Sequence, residues 1–183
     1  YLQWADSYQE NQITLIYDTM WNGTRMLADA IAQGIRKVDP SVTIKIFNLS
    51  NTDKNDVLTH VFKSKAILVG SPTVNNVMLP HVAALLEEME GLRFKGKAAA
   101  AFGTHGWSGG AVDRISRRLS EAGFNVIAPG TKAEWRPADD ALSNAIEFGM
   151  HFTKQLANSA DSSAGAGCCQ DRISSTMRCK TCS

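Results

Sequence analysis

The residues most able to do chemistry in this 183-residue chain lie in three polar loops, each directly after a short apolar run. The first loop, DTMWNGT at 18–24, offers hydroxyls, an amide and a flexible glycine where a helix is predicted to begin. Free backbone N–H groups and the helix dipole attract an anion at such a position. Because the lysine of triphosphate-binding loops is missing, a phosphate monoester held by neutral donors is predicted. A simple helix cap is the alternative.

The second and third loops add features that suit a flat ligand. GSPTVNNVMLP at 70–80 breaks its strand sharply and holds two asparagines, which tolerate left-handed backbone; alone, it also fits an ordinary polar loop. FGTHGWSGGA at 102–111 sets four glycines around His105, Trp107 and Ser108. Glycines permit close backbone approach, and the tryptophan suits stacking on an aromatic ring, although it could instead seal the end of a sheet. Together the three loops predict flavin mononucleotide (FMN).

The elements that must position these loops alternate between strands and helices. Strands are predicted at 12–17, 42–48, 66–70, 97–103 and 124–130, and helices at 24–38, 53–64, 79–90, 110–123 and 139–156. This order predicts an α/β fold with a flavodoxin-like, doubly wound, five-stranded parallel sheet of order 2-1-3-4-5. In such a sheet, the loops after strands one, three and four meet at the carboxyl edge, where ligands bind.

Composition excludes other classes of function. The formal net charge is +1 and no basic run is present, so nucleic acid is not a predicted partner. No apolar run approaches the roughly 18 residues of a membrane span. All four cysteines, Cys168, Cys169, Cys179 and Cys182, lie near the end of the chain. This distribution argues against a disulfide framework and predicts a reducing, cytoplasmic location.

Four segments resemble the flavodoxin-like domain of the flavodiiron proteins: YDTMWNGTRMLADAI, GSPTVNNVMLP, FGTHGWSGGAVDR and KAEWRP. The resemblance covers residues 1–157 and implies FMN as the cofactor, with Trp107 as a wall for the flavin ring. The cofactor-binding residues that it implies are Thr19, Met20, Trp21, Asn22, Gly23, Thr24, Ser71, Pro72, Thr73, Asn75, Asn76, Gly103, Thr104, His105, Gly106, Trp107, Ser108 and Gly109. Two positions depart from the family, which tends to have Asn at Gly23 and a smaller residue at Trp21.

The resemblance also implies a division of the chain. Residues 1–11 are expected to end a preceding diiron domain or to form a linker, and 12–157 to form the FMN-binding domain. A flexible linker is expected at 158–176. Residues 177–183 resemble the truncated start of a rubredoxin, or are an unrelated tail. Cys179 and Cys182 would there be half of a rubredoxin iron site, so iron sites are expected only in the intact parent protein.

For the parent protein, the resemblance implies reduction of nitric oxide to nitrous oxide at a diiron site. The chain has no H-x-E-x-D-H segment for such a site, so an electron-transfer role without catalytic residues is expected. Its donors would be a rubredoxin domain and an NADH-dependent rubredoxin reductase, and its acceptor the diiron domain. A flavodoxin-fold NAD(P)H:quinone reductase is the alternative. A signalling receiver module fits poorly, because the third strand ends in Gly70-Ser71 rather than in aspartate.

Overall fold

The computed structural model describes residues 9–166, with side chains through residue 159. The strands are β1 (Glu10–Tyr17), β2 (Thr43–Asn48), β3 (Ser64–Gly70), β4 (Ala98–His105), β5 (Asn125–Val126) and β6 (Thr131–Glu134). The helices are α1 (Gly23–Val38), α2 (Lys54–Lys63), α3 (Pro80–Leu92), α4 (Gly110–Glu121) and α5 (Asp139–Ala166).

The strands form one parallel sheet in the order β2-β1-β3-β4-β5, which confirms the predicted fold class. β1 pairs with β2 from Gln12 to Tyr17 and with β3 up to Tyr17, which lies beside Gly70. The central strands β3 and β4 have apolar runs, at 66–69 and 98–102, as expected of strands with both faces buried. The partly exposed residues of β2 agree with its edge position.

Helices cover both faces of this sheet. One core cluster joins the sheet to α2, α3 and α4 through side chains such as Val57, Val82 and Ile115. The other joins the opposite face to α1 and α5 through side chains such as Ile31 and Phe152. The first and third polar loops therefore follow strands, β1 and β4, whose sheet is packed against helices on both faces.

Two glycines fix α1 against α5. A Cβ built on Gly34 would lie 2.0 Å from the carbonyl oxygen of Ile146, and one built on Gly149 would lie 2.3 Å from that of Ile31. Backbone approach this close excludes any side chain at either position. This contact fixes the position of α1, and the first residue of α1 belongs to the first of the three polar loops.

The fifth strand differs from its prediction. A single strand was expected at 124–130, but β5 pairs only beside Ala98 and Ala99, and β6 then takes the same side of β4 from Phe102 to His105. Pro129 lacks the N–H that a strand interior needs, and it separates the two pieces. As a result the C-terminal half of β4 is paired with β6, and the chain after β6 lies at the carboxyl edge of the sheet.

The last helix is longer than predicted. It was expected at 139–156, but α5 continues through Ala166, into the segment predicted as a linker. The alanines of this segment favour helix, and its serines tolerate it. The division into domains stays a prediction, and the predictions for residues 1–8 and 167–183, including all four cysteines, lie outside the described residues. Within the described part of the chain, no helix has the length and apolar character that crossing a bilayer requires.

Candidate functional site

A cleft of about 730 Å³ opens at the carboxyl edge of the sheet. This volume lies within the range of small-molecule and cofactor sites. The residues predicted from the three loops that line it are Thr19, Met20, Trp21, Gly23, Pro72, Thr73, Asn75, Asn76, Thr104, His105, Gly106, Trp107 and Ser108. The three loops thus meet at one place, as the strand order requires.

The other predicted residues, Asn22, Thr24, Ser71, Gly103 and Gly109, do not line the cleft. Thr24 is fully buried, with its Oγ1 3.3 Å from Oγ1 of Thr104. The Ser71 hydroxyl accepts a hydrogen bond from the Leu79 N–H at 2.9 Å and donates to the Pro72 carbonyl at 2.8 Å. A Cβ on Gly103 would lie 2.2 Å from the Ser71 carbonyl oxygen. The Thr24 and Ser71 side chains and the close contact at Gly103 therefore stabilise the loops without lining the cleft.

The first loop leads into α1 without a side-chain cap. Asn22 occupies the N-cap position in the left-handed region, with φ 62°, and its side chain makes no capping hydrogen bond. The first turn of α1 also has no acidic residue. Within residues 9–159, the first N–H groups of α1 therefore have no side-chain carboxylate or amide as acceptor, and they remain available to an anion.

Gly23, the first residue of α1, is closely approached by the segment after β6. A Cβ at this position would lie 3.0 Å from the Trp135 carbonyl oxygen, 3.2 Å from Cγ2 of Thr104 and 3.4 Å from Cδ of Pro137. A larger side chain would be crowded here. The absence of a side chain at Gly23 therefore allows the 135–137 segment to pack closely on the start of α1.

The second loop is a tight turn that is tied to the third loop. Val74 and Val77 exchange two backbone hydrogen bonds of 2.9 Å. Asn75 and Asn76 between them have φ values of 50° and 62°, the left-handed pair of a type I′ turn. The Ser108 hydroxyl hydrogen-bonds to Oδ1 of Asn76, and this contact couples the turn to the glycine-rich loop.

The third loop presents its tryptophan to the outside. Trp107 is 91% exposed, which rules out the alternative that it seals the sheet. Its ring meets that of Trp135 edge to face, with centroids 4.9 Å apart. A Cβ on Gly106 would lie 3.0 Å from the Trp135 indole, so the glycine makes room for that ring. Two indoles therefore stand at one rim of the cleft.

Trp135 and Arg136 line the cleft, but the sequence analysis did not assign them to the site. Trp135 has φ 46° and donates its N–H to the His105 carbonyl at 2.7 Å. A left-handed backbone is uncommon for a bulky residue and marks an unusual site. Both residues follow β6, the strand that the sequence analysis did not recognise. The KAEWRP segment, which contributed to the family resemblance, was the available signal.

The carboxylate at the start of the first loop is already engaged. Asp18 is buried and accepts hydrogen bonds from the Ser50 hydroxyl at 2.6 Å and from the Thr19 N–H at 2.8 Å, and its Oδ2 lies 2.9 Å from Nδ1 of His81. No aspartate or glutamate is among the residues that line the cleft. Asp18 thus anchors the first loop and leaves the cleft without negative charge.

Three further observations describe the chemistry in and around the cleft. Nδ1 of His105 is buried and makes no hydrogen bond within residues 9–159, although the residue itself lines the cleft. Burial raises the pKa of Tyr17, at the end of β1, which keeps the phenol neutral. Among residues 9–159, no group of three or more His, Cys, Asp or Glu is placed to hold a metal ion. Neutral donors, aromatic rings and the absence of acidic residues suit a flat ligand with a phosphate group, and FMN fits this donor set.

Comparisons with known proteins agree with this description. The flavodoxin family model matches residues 15–149. The anaerobic nitric oxide reductase flavorubredoxin of Aliivibrio fischeri is 60% identical over 157 residues, covering 86% of this chain and 32% of the relative. The chain therefore spans about a third of the length of such curated relatives.

Two solved structures are similar over most of the described chain. Rubredoxin oxygen:oxidoreductase from Desulfovibrio gigas has a TM-score of 0.80 and 28% identity, over 86% of this chain and 39% of that one. The flavodiiron protein from Giardia intestinalis has a TM-score of 0.76 and 29% identity, over 84% and 38% of the two chains. The resemblance to flavodiiron proteins that the motifs predicted is confirmed.

Proposed function

Because the chain belongs to the flavodoxin family, we propose that it binds FMN in the cleft at the carboxyl edge and serves as an electron-transfer domain. One observation carries the proposal: a single cleft joins the uncapped N-terminus of α1 to two exposed tryptophans. The first feature suits a phosphate and the second a flat ring. When bound, FMN supplies the electron-carrying chemistry, and the protein supplies its binding, orientation and electrostatic environment.

The phosphate end of the proposed site is the first loop. Its neutral donors are the Thr19 hydroxyl and the backbone N–H groups at the start of α1. Asp18 holds the loop in place through its bond to the Thr19 N–H at 2.8 Å. A phosphate bound at this end is stabilised by hydrogen bonds and by the positive end of the helix dipole.

The ring end of the proposed site is formed by the second and third loops. Trp107 provides a flat surface for the ring, and the Trp135 indole contacts Trp107 edge to face at the rim of the cleft. The turn at 74–77 and the backbone of 104–106 offer amide groups to the polar edge of a ring. Ser108 connects these two loops through Asn76, so the wall and the edge contacts move as one unit.

The chain has relatives named as nitric oxide reductase flavorubredoxins. We extend the proposal to a parent protein in which this domain receives electrons from a rubredoxin-type iron centre, itself reduced by an NADH-dependent rubredoxin reductase. The acceptor is a diiron domain that reduces nitric oxide to nitrous oxide in the cytoplasm. No acid, base or nucleophile is assigned to this chain, because its part is to hold and orient the cofactor.

The proposal is tested by electron transfer in a stopped-flow spectrophotometer. The purified chain, loaded with FMN, is mixed anaerobically with a reduced rubredoxin-type iron protein, and the flavin absorbance is followed. Rapid bleaching by the iron protein, with slow bleaching by NADH alone, is expected. Rapid bleaching by NADH without any partner would contradict it and would favour the quinone reductase alternative.

A further inference from the structure

The segment after β6 is fixed against the start of α1. The Trp135 N–H donates to the His105 carbonyl at 2.7 Å, and the Trp135 carbonyl lies 3.0 Å from where a Cβ on Gly23 would be. On the other side of Arg136, Pro137 is buried, with its Cδ 3.4 Å from the same point. The backbone of Arg136 is thus held on both sides beside the first residue of α1.

Arg136 differs in charge from the rest of the cleft. It is the one lysine or arginine among the lining residues, which include no carboxylate. In the described part of the chain it has no ion-pair partner within 4.0 Å, whereas Arg25 on α1 pairs with Asp29 and Arg118 with three glutamates. An exposed arginine without a partner, held at the edge of a cleft, is available to a ligand.

From this placement we propose that Arg136 binds the phosphate monoester of the cofactor, and so makes the cleft selective for FMN over riboflavin. The assignment rests on the proposed function and deepens it. A guanidinium can donate two parallel hydrogen bonds to phosphate oxygens. The N–H groups of α1 approach the same phosphate from the helix side. Gly23 suits this arrangement, because a Cβ there would crowd the Trp135 carbonyl oxygen and Cδ of Pro137.

The experiment compares FMN and riboflavin binding by quenching of flavin fluorescence, for the full chain and its Arg136→Gln and Arg136→Lys variants. Arg117→Gln is the matched control, since this exposed arginine lies on α4, outside the cleft. Arg136→Gln is expected to lower FMN affinity by roughly ten- to a hundredfold. Riboflavin affinity should stay within about twofold, and Arg136→Lys should keep part of the preference. The salt dependence of FMN binding should also weaken in Arg136→Gln alone.

Two results would overturn the assignment, and they are distinguishable. Equal losses for FMN and riboflavin in Arg136→Gln, or no loss for either, would show that the guanidinium does not contact the phosphate, while flavin binding by the unaltered chain stands. Failure of the unaltered chain to bind either flavin would overturn the proposed function, and the Arg136 assignment with it.

Discussion

The indole rings of Trp107 and Trp135 meet edge to face, with their centroids 4.9 Å apart and their planes at 77°. The two residues come from different loops, one after β4 and the other after β6, and both remain largely exposed. Exposed aromatic pairs of this kind are well suited to receive a flat ring. The pair therefore marks the ring end of the proposed FMN site.

Replacing the Trp107 ring should weaken binding of any flavin. Trp107→Ala is expected to lower the affinity for FMN and for riboflavin alike by roughly tenfold or more, because the lost contact is to the ring. Trp107→Phe should retain much of the affinity, because it keeps an aromatic ring at this position. Trp21 itself lines the cleft, so Leu92→Ala, at an exposed apolar residue of α3 outside the cleft, gives the baseline. Fluorescence titration measures all these variants. Unchanged affinities in Trp107→Ala would remove this residue from the site.

Removing the Thr19 hydroxyl should affect the phosphate only. Thr19→Val, which preserves the shape of the side chain, is expected to weaken FMN by roughly tenfold through loss of a charge-assisted hydrogen bond. Riboflavin, which lacks the phosphate, should bind as before. Isothermal titration with the two flavins distinguishes these outcomes. A similar loss for both flavins would mean that Thr19 shapes the loop without contacting phosphate.

The same substitution at two helical glycines should have opposite effects on stability. Gly34→Ala would place a Cβ 2.0 Å from the Ile146 carbonyl oxygen and force α1 and α5 apart, at a cost of about 2 kcal/mol or more. Gly91→Ala in α3 has open space around it and should gain a few tenths to about 1 kcal/mol from helix propensity. Urea denaturation gives both values. A Gly34→Ala variant as stable as the unaltered chain would contradict the described packing of α1 on α5.

The buried Lys97 predicts a pH dependence of stability. Its Nζ donates to the carbonyls of Phe62 and Ser64, at 2.8 and 2.6 Å, and burial lowers its pKa to about 8. In the unfolded chain the pKa is about 10.4. Between these values the unfolded state binds more protons, so the free energy of unfolding should rise with pH.

Lys97→Met removes this titration and serves as the reference. From pH 8 to pH 10, the unaltered chain should gain about 2 kcal/mol relative to Lys97→Met. Urea denaturation at several pH values measures the difference. A constant difference between the two proteins would show that Lys97 titrates as it does in the unfolded chain.

The positions of the three loops followed from the sequence because buried parallel strands have a strong signature. The strand over 66–70 is continuously apolar, and the loop after it could be placed at the carboxyl edge from the strand order alone. β6 was missed for a physical reason: Ala133 is the one apolar residue among its four, and they follow a proline that ends the preceding pattern.

The missed strand had consequences for the site. Trp135 and Arg136 could not be placed beside α1 without β6, because only its pairing with β4 brings the two segments together. Likewise, the tight packing at Gly23 depends on a contact between segments more than a hundred residues apart. Contacts of this kind have no local pattern in the sequence.

The central claim is that the cleft holds FMN by its phosphate and its ring. The most direct measurement is the visible absorption spectrum of the purified chain after incubation with FMN and desalting, with riboflavin as the matched control. The account predicts that a flavin spectrum is retained with FMN and lost with riboflavin. A colourless protein after incubation with FMN would contradict it.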